Sequence, residues 1–243
     1  MPYKVLQPGL ATGFCEDCCA LAVMAKAPRP GKVKTRLSPP LTPDQASALN
    51  ICFIRDTTEN IQQVTEASNS VGLVAYTPVG DESAFDGLLP PGFQLLAQRG
   101  DGFGERLFYA CEDLFACGFS AVCLIDADSP TMPQGALLQA VEKLSRAGDR
   151  MVLGASDDGG YYLIGLKRPH HRVFEQIDWS TERVYAQTLE RAREIGLATE
   201  LLPTWYDVDD AATLERLRWE LAGPTDGYDA KHTRAYLSAS SAC

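Results

Sequence analysis

Residues 121–131 read Ala121-Val-Cys-Leu-Ile-Asp126-Ala127-Asp128-Ser129-Pro130-Thr131. Five apolar residues end abruptly in two carboxylates. A short unbroken apolar run is the pattern of a strand buried on both faces of an α/β sheet. Open sheets of that kind bind ligands beyond the carboxyl ends of their strands. Asp126 and Asp128 are therefore expected at the ligand edge. If strand geometry persists to Asp128, residues i and i+2 point to one side and their carboxylates converge. Two converging carboxylates suit a hard cation, Mg²⁺ or Mn²⁺. The alternative is that Asp128-Ser129-Pro130 only caps a following helix.

Outward from this stretch, strand-like and helix-like segments alternate. Cys19–Ala25, Val71–Tyr76 and Phe93–Ala97 read as strands before it. Met151–Ala155, Tyr161–Leu166 and Glu200–Leu202 read as strands after it. Between them lie amphipathic segments of helical period. One opens at Thr42-Pro43-Asp44-Gln45, with Thr42 as N-cap and Gln45 in the capping-box position, and runs to about Ala67. Others cover Gly104–Ala116, Pro133–Ala147, Thr181–Ile195 and Ala211–Leu221. This order predicts a single α/β domain of Rossmann-like build, mainly parallel, with helices on both faces. The domain is expected over residues 19–223, between an N-terminal extension (1–18) and a polar C-terminal tail (224–243).

The chain has 243 residues and a net charge of −10, from 32 acidic residues against 22 Lys+Arg. That balance argues against a nucleic-acid binder, which would carry a basic footprint. No apolar run reaches the ~18–20 residues of a membrane span. Glu16 and Asp17 spoil any signal peptide, so a cytoplasmic location is expected. Of the eight cysteines, Cys52, Cys111, Cys117 and Cys123 fall in apolar segments and read as reduced core residues. Cys15, Cys18 and Cys19 form at most half of a zinc site, with no second pair at ligand spacing.

Against the acidic background one stretch is basic: Lys26-Ala-Pro-Arg29-Pro-Gly-Lys32-Val-Lys34-Thr-Arg36. It follows the first strand, at the ligand edge. Lys26, Arg29, Lys32, Lys34 and Arg36 are candidate phosphate ligands, arginine as a planar fork and lysine as a point charge. An extended conformation would set Lys32, Lys34 and Arg36 in a row. The spacing is not that of a Walker A loop. Gln98-Arg-Gly100-Asp-Gly102-Phe-Gly104-Glu-Arg106 is a candidate nucleotide loop. Gln98, Gly100, Gly102 and Gly104 would let backbone approach a flat ligand beside a helix N-terminus; a plain turn and cap reads equally well. Asp157-Asp158-Gly159-Gly160 is at once a hairpin turn and a candidate substrate loop. Trp179-Ser180-Thr181 offers an aromatic platform for a sugar or base, or only a helix cap. Asp207 and Asp209 repeat the strand-end acid pair and could complete the metal site.

Together these motifs resemble the nucleotide-diphospho-sugar transferase superfamily with the GT-A fold, most closely its glycosyltransferase-like branch, DUF2064. The carrying residues are 26–37, 100–106, 126–131, 157–166 and 205–209, which span most of the chain. The resemblance implies that Lys26, Lys34 and Arg36 hold phosphates and that Asp126 and Asp128 form the metal-binding acidic motif. It also implies that Asp158 stands by the acceptor or sugar and that Asp207 or Asp209 lies near the metal. The basic loop is similar to that of phospholactate guanylyltransferases and molybdenum-cofactor nucleotidyltransferases. The expected activity is metal-dependent glycosyl transfer from a nucleotide-diphospho-sugar to a small-molecule acceptor. Asp158 would be the acceptor's base, and Lys34 and Arg36 would steady the leaving group. Asp157, Gly159, Gly160, Trp179, Ser180 and Thr181 would line the acceptor side. The alternative is nucleotidyl transfer from a nucleoside triphosphate to a phosphorylated acceptor, releasing pyrophosphate. A non-catalytic nucleotide-sugar sensor is a rival of another class. A homodimer is left open.

Overall fold

A computed structural model describes residues 3–10, 13 and 17–240. Seven strands form one sheet in the order β3-β2-β1-β4-β6-β5-β7. They are β1 (Cys19–Lys26), β2 (Ser70–Thr77), β3 (Gln94–Ala97), β4 (Ala121–Ile125), β5 (Arg150–Ser156), β6 (Tyr161–Leu166) and β7 (Ala198–Trp205). β1 is parallel to β2 and β4, and β2 to β3. β6 runs antiparallel to β4 and β5, while β7 is parallel to β5. Only β6 is reversed, so the sheet is mainly parallel as anticipated. The reversal has a positional consequence. The end of β5, the start of β6 and the ends of β1, β4 and β7 all arrive at one edge.

The helices are α1 (Pro43–Ala67), α2 (Phe103–Ala116), α3 (Gln134–Ser145), α4 (Val184–Glu194), α5 (Ala211–Leu221) and α6 (Lys231–Ser240). Strand side chains alternate between two cores. Leu21, Val23, Cys123 and Ile125 pack with Ile54, Ile61 and Val64 of α1 and with Leu137 of α3. Ala20, Ala22, Val122 and Leu124 pack with Leu107, Cys111 and Leu114 of α2 and with Ala192 of α4. A third cluster joins α1, α5 and α6 through Leu49, Phe53, Leu214, Leu217 and Leu237. α1 opens with the capping box read from Thr42 and Gln45.

At the N-terminus, Leu6 is buried and its N–H donates to the Leu95 carbonyl (2.7 Å), beside β3. At the other end, Asp56 of α1 caps α6. It accepts the N–H groups of His232 (3.0 Å) and Thr233 (2.8 Å) and the Thr233 hydroxyl (2.6 Å). Cys15 lies outside the described residues. Cys19, Cys52, Cys111 and Cys123 are free thiols, and Cys18 and Cys117 are buried. Among the described residues, no helix is long and apolar enough to cross a membrane.

Candidate active site

β1 lies between β2 and β4, where chain order reverses across the sheet. A crevice opens at such a switch point beyond the carboxyl ends. The loop after β1 and the Asp126–Asp128 segment after β4 face each other across it.

The acidic segment is not an extension of its strand. β4 ends at Ile125, and residues 126–128 turn instead. The turn is fixed by named bonds. Asp126 N–H donates to the Tyr162 carbonyl (2.9 Å), and the Asp128 carbonyl accepts Val208 N–H (2.9 Å). Asp126 Oδ2 accepts the Ser129 hydroxyl (2.9 Å). Nor is Asp128 a helix cap, because α3 begins only after Pro133. β7 likewise ends at Trp205, before Asp207 and Asp209. Asp126, Asp128, Asp158, Asp207 and Asp209 nonetheless line one cavity of about 410 Å³.

Crowding shows in their protonation. Burial raises the Asp126 carboxyl well above its usual range, and the charges of Asp128 and Asp207 add to it. Asp207, which accepts the Ser156 hydroxyl (3.0 Å), is pushed up to about 6 by burial and by Asp158 and Asp209. Like charges gathered in a low-dielectric crevice create demand for a cation.

Lys34 meets part of that demand. Its ammonium lies 2.7 Å from Asp128 Oδ1 and 3.2 Å from Asp209 Oδ1, and donates to the Val208 carbonyl (2.7 Å). Its side chain is only 4% exposed. Burial by itself lowers the ammonium's pKa, but the two carboxylates outweigh it and hold it above its ordinary value. The basic loop is therefore not extended. It turns at Gly31, sets Lys34 in the left-handed region (φ 48) and forms a short 3-10 turn, Thr35–Leu37. No row of charges results, and Lys34 is tied into the acid cluster.

Lys26, Lys32, Lys34 and Arg36 line a second cavity of about 300 Å³, which Met24, Arg36, Ala127, Asp128 and Asp209 share with the first. Arg29 stands apart, paired with Asp81. One lining residue carried no sequence signal. Asn50 of α1 is 5% exposed, and its carbonyl oxygen has no hydrogen-bond partner. Buried polar atoms are rarely left so, and an unpaired one at a cavity wall points to a ligand.

The remaining candidates divide. Gln98 is buried and spends its amide N–H on the Ala75 carbonyl (2.6 Å). The free N–H groups expected of the 100–104 loop are taken up: Asp101 and Gly102 both donate to Glu105 (2.9 and 3.2 Å). Gly104 serves packing, since a Cβ there would lie 2.6 Å from the Trp179 indole nitrogen. Gly100 packs against Glu105 and Tyr109. Asp157 pairs with Arg216. Asp158 accepts Gly160 N–H (2.8 Å) at the cavity, and Gly159 (φ +94) brings this turn against the Glu182 backbone. Trp179, Ser180 and Thr181 line the cavity. Neither hydroxyl residue is the N-cap of α4, which is Arg183.

The carboxylate set has the chemistry of a divalent-cation site: oxygen donors only, crowded and partly buried. It does not close into a preformed cage. Among the described residues, the one group of three ligating atoms within 4.8 Å of one another is Asp56, Glu59 and His232. Those atoms are occupied in clamping α6: Asp56 as its cap, Glu59 by His232 (2.8 Å) and Lys231 (2.9 Å). The strand-end aspartates fit instead a cation that takes one or two carboxylates and completes its shell with substrate phosphates and water, the habit of Mg²⁺.

The chain belongs to the family described as an uncharacterised protein conserved in bacteria (DUF2064), whose profile matches residues 60–181. It is similar to a solved structure of a candidate nucleotide-diphospho-sugar transferase from Desulfovibrio desulfuricans G20. The two are 29% identical over 94% of this chain and 96% of that one, with a TM-score of 0.80. More distant likenesses establish the fold alone. One is CMP:2-keto-3-deoxy-manno-octonic acid synthetase complexed with CTP (15% identity, 84% and 98% coverage, TM-score 0.53). Another is 4-diphosphocytidyl-2C-methyl-D-erythritol synthase from Anaerococcus prevotii DSM 20548 (10%, 92% and 99%, 0.52). No curated protein matches the chain in sequence.

Proposed function

We propose that this protein is a metal-dependent glycosyltransferase that uses a nucleotide-diphospho-sugar. One observation carries the reading: a basic cavity and an acidic cavity adjoin at the switch point, sharing Arg36, Asp128 and Asp209. The basic side suits a diphosphate. Lys26 and Lys32 contribute point charges and Arg36 a fork. On the acidic side Asp158 would stand by the acceptor, a reading supported by its position in that cavity's lining.

In this reading the acceptor's oxygen attacks the anomeric carbon, the bond from that carbon to the phosphate oxygen breaks, and the nucleoside diphosphate leaves. Asp158 takes the acceptor's proton. Arg36, between the cavities, stabilises charge growing on the leaving group. Lys34 holds Asp128 and Asp209 in place rather than touching phosphate. A bound Mg²⁺ or Mn²⁺, held by one or two of Asp126, Asp128 and Asp207, would supply Lewis-acid neutralisation of that leaving group.

Nucleotidyl transfer is the second reading, favoured by the density of cations around the basic cavity, which also suits a triphosphate. A thermal-shift panel with Mg²⁺ separates the two, because a ligand that binds only the native state raises Tm with its affinity. Selective stabilisation by one diphospho-sugar is expected, and its loss in Asp128→Ala. Selective stabilisation by a triphosphate would overturn glycosyl transfer, and unchanged binding by Asp128→Ala would remove the metal assignment.

A further inference from the structure

The acidic cavity has a second character. Beside its carboxylates stand four aromatic rings, Phe103, Tyr161, Tyr162 and Trp179, together with Met24 and Leu107. Phe103 and Trp179 meet edge to face (5.1 Å, 81°), and Tyr161 meets Trp179 likewise (6.4 Å, 77°). Phe103 is 47% exposed, an uncovered aromatic in a ligand cavity. The arrangement is built into the chain. Gly104 admits the Trp179 indole, and Ser180 takes a left-handed turn (φ 65) directly after it. Such surfaces bind apolar bodies, and also cations through the ring faces.

The charge around these rings is one-sided. Asp126, Asp128, Asp158, Glu182, Asp207 and Asp209 line the cavity, and Arg36 is its one cationic lining residue. Arg36 opens equally onto the basic cavity and is 68% exposed. The nearby Arg106 stacks over Phe103 (5.9 Å) and donates to the Asp101 carbonyl (3.3 Å). A divalent ion and Lys34 together would offset half of six carboxylates. A phosphate or carboxylate bound deep among the rings would have no dedicated partner and would meet several like charges.

We propose that this cavity selects the acceptor, and that the acceptor is uncharged or cationic, bearing its nucleophile on a ring-sized apolar body. The assignment rests on the glycosyl-transfer reading and sharpens it, since nucleotidyl transfer to a phosphorylated acceptor needs an anion here. A volume of about 410 Å³ falls in the range of small-molecule sites. It holds a substituted ring with space beside the carboxylates.

The test uses three probes that share one ring: benzyl alcohol, benzylamine and benzyl phosphate. Each is titrated into the full-length protein in chelator, so that no cation recruits phosphate to the carboxylates, and the Trp179 indole N–H is followed by NMR, assigned through Trp179→Phe. Benzylamine and benzyl alcohol should move this signal, with benzyl phosphate at least roughly tenfold weaker. Phe103→Ala, at a half-exposed position, should weaken both by roughly tenfold. Equal or tighter binding of benzyl phosphate at Trp179, or no movement with any probe, overturns the proposal. A parallel titration with inorganic pyrophosphate reads the basic cavity, where Lys26→Ala should lose binding and leave benzylamine unaffected. If diphospho-sugars fail to bind while benzylamine binds, the function reading falls and the cavity's selectivity stands. If diphospho-sugars bind and benzyl phosphate occupies the cavity, only the selectivity falls.

Discussion

Asn50 and Lys34 show how a residue's task depends on surroundings that its neighbours in sequence do not disclose. Asn50 sits mid-helix, and nothing in α1 marks it; its unpaired carbonyl at the wall of the basic cavity does. Replacing an unsatisfied buried amide by an apolar group of similar size is near neutral or stabilising. Asn50→Leu should therefore keep or raise the ligand-free Tm; a clearly lower Tm would show that the amide is satisfied within the fold. Lys34 was legible as part of a basic run, but its burial was not, because that depends on carboxylates 94 and 175 positions away. Asp207 carries the clearest pH signature. The folded protein takes up a proton there near pH 6, whereas the unfolded chain does so only near 3.8. Its folded pKa is raised, so ionisation weakens the fold, and the ligand-free protein gains stability as pH falls from 7 toward 5. Asp207→Asn should reduce this gain, Asp126 supplying the remainder, as measured by Tm against pH in chelator. Equal pH dependence in both proteins would show that Asp207 lacks the raised pKa.

At the scale of elements, periodicity and capping located most of the structure. Thr42 and Gln45 marked the start of α1, and the apolar runs gave β1, β2 and β4 to within about a residue or two. β7 was read too short. It is an edge strand with exposed side chains and Pro203 within it, so it lacks the apolar run that marks a buried strand. The aspartates that follow β4 and β7 come together beyond the strands' carboxyl ends by turns rather than by strand alternation. The docking of α6 was not readable, since its cap comes from Asp56, 177 positions from Thr233. Asp56→Ala leaves three donors without their carboxylate. It should cost about 2 kcal/mol, near the range for hydrogen bonds to a charged group, or roughly 4–8 °C in Tm for a chain of this size. Hydrogen exchange should then show α6 opening first. Unchanged protection of α6 would show that the Asp56 cap does not hold it.

For the whole molecule, topology does the work of assembly. The single reversed strand, β6, lets the 157–160 turn join the ends of β1, β4 and β7 at one edge, so residues spread over 180 positions build one site. A basic cavity and an acidic, aromatic cavity adjoin there, and under the proposed function they would divide the substrate's charge between them. The family motifs pointed to this edge, and the partition itself became visible only in three dimensions, because Phe103, Asp158, Trp179 and Asp207 belong to four different loops and helix starts. The most direct test of glycosyl transfer is to follow the leaving group. The protein is incubated with Mg²⁺, the diphospho-sugar that most raises its Tm, and neutral, cationic and phosphorylated aryl acceptors. Nucleoside diphosphate and pyrophosphate are then quantified. Nucleoside diphosphate released in step with a non-anionic acceptor is the predicted result. Pyrophosphate released from a triphosphate in step with a phosphorylated acceptor would contradict it.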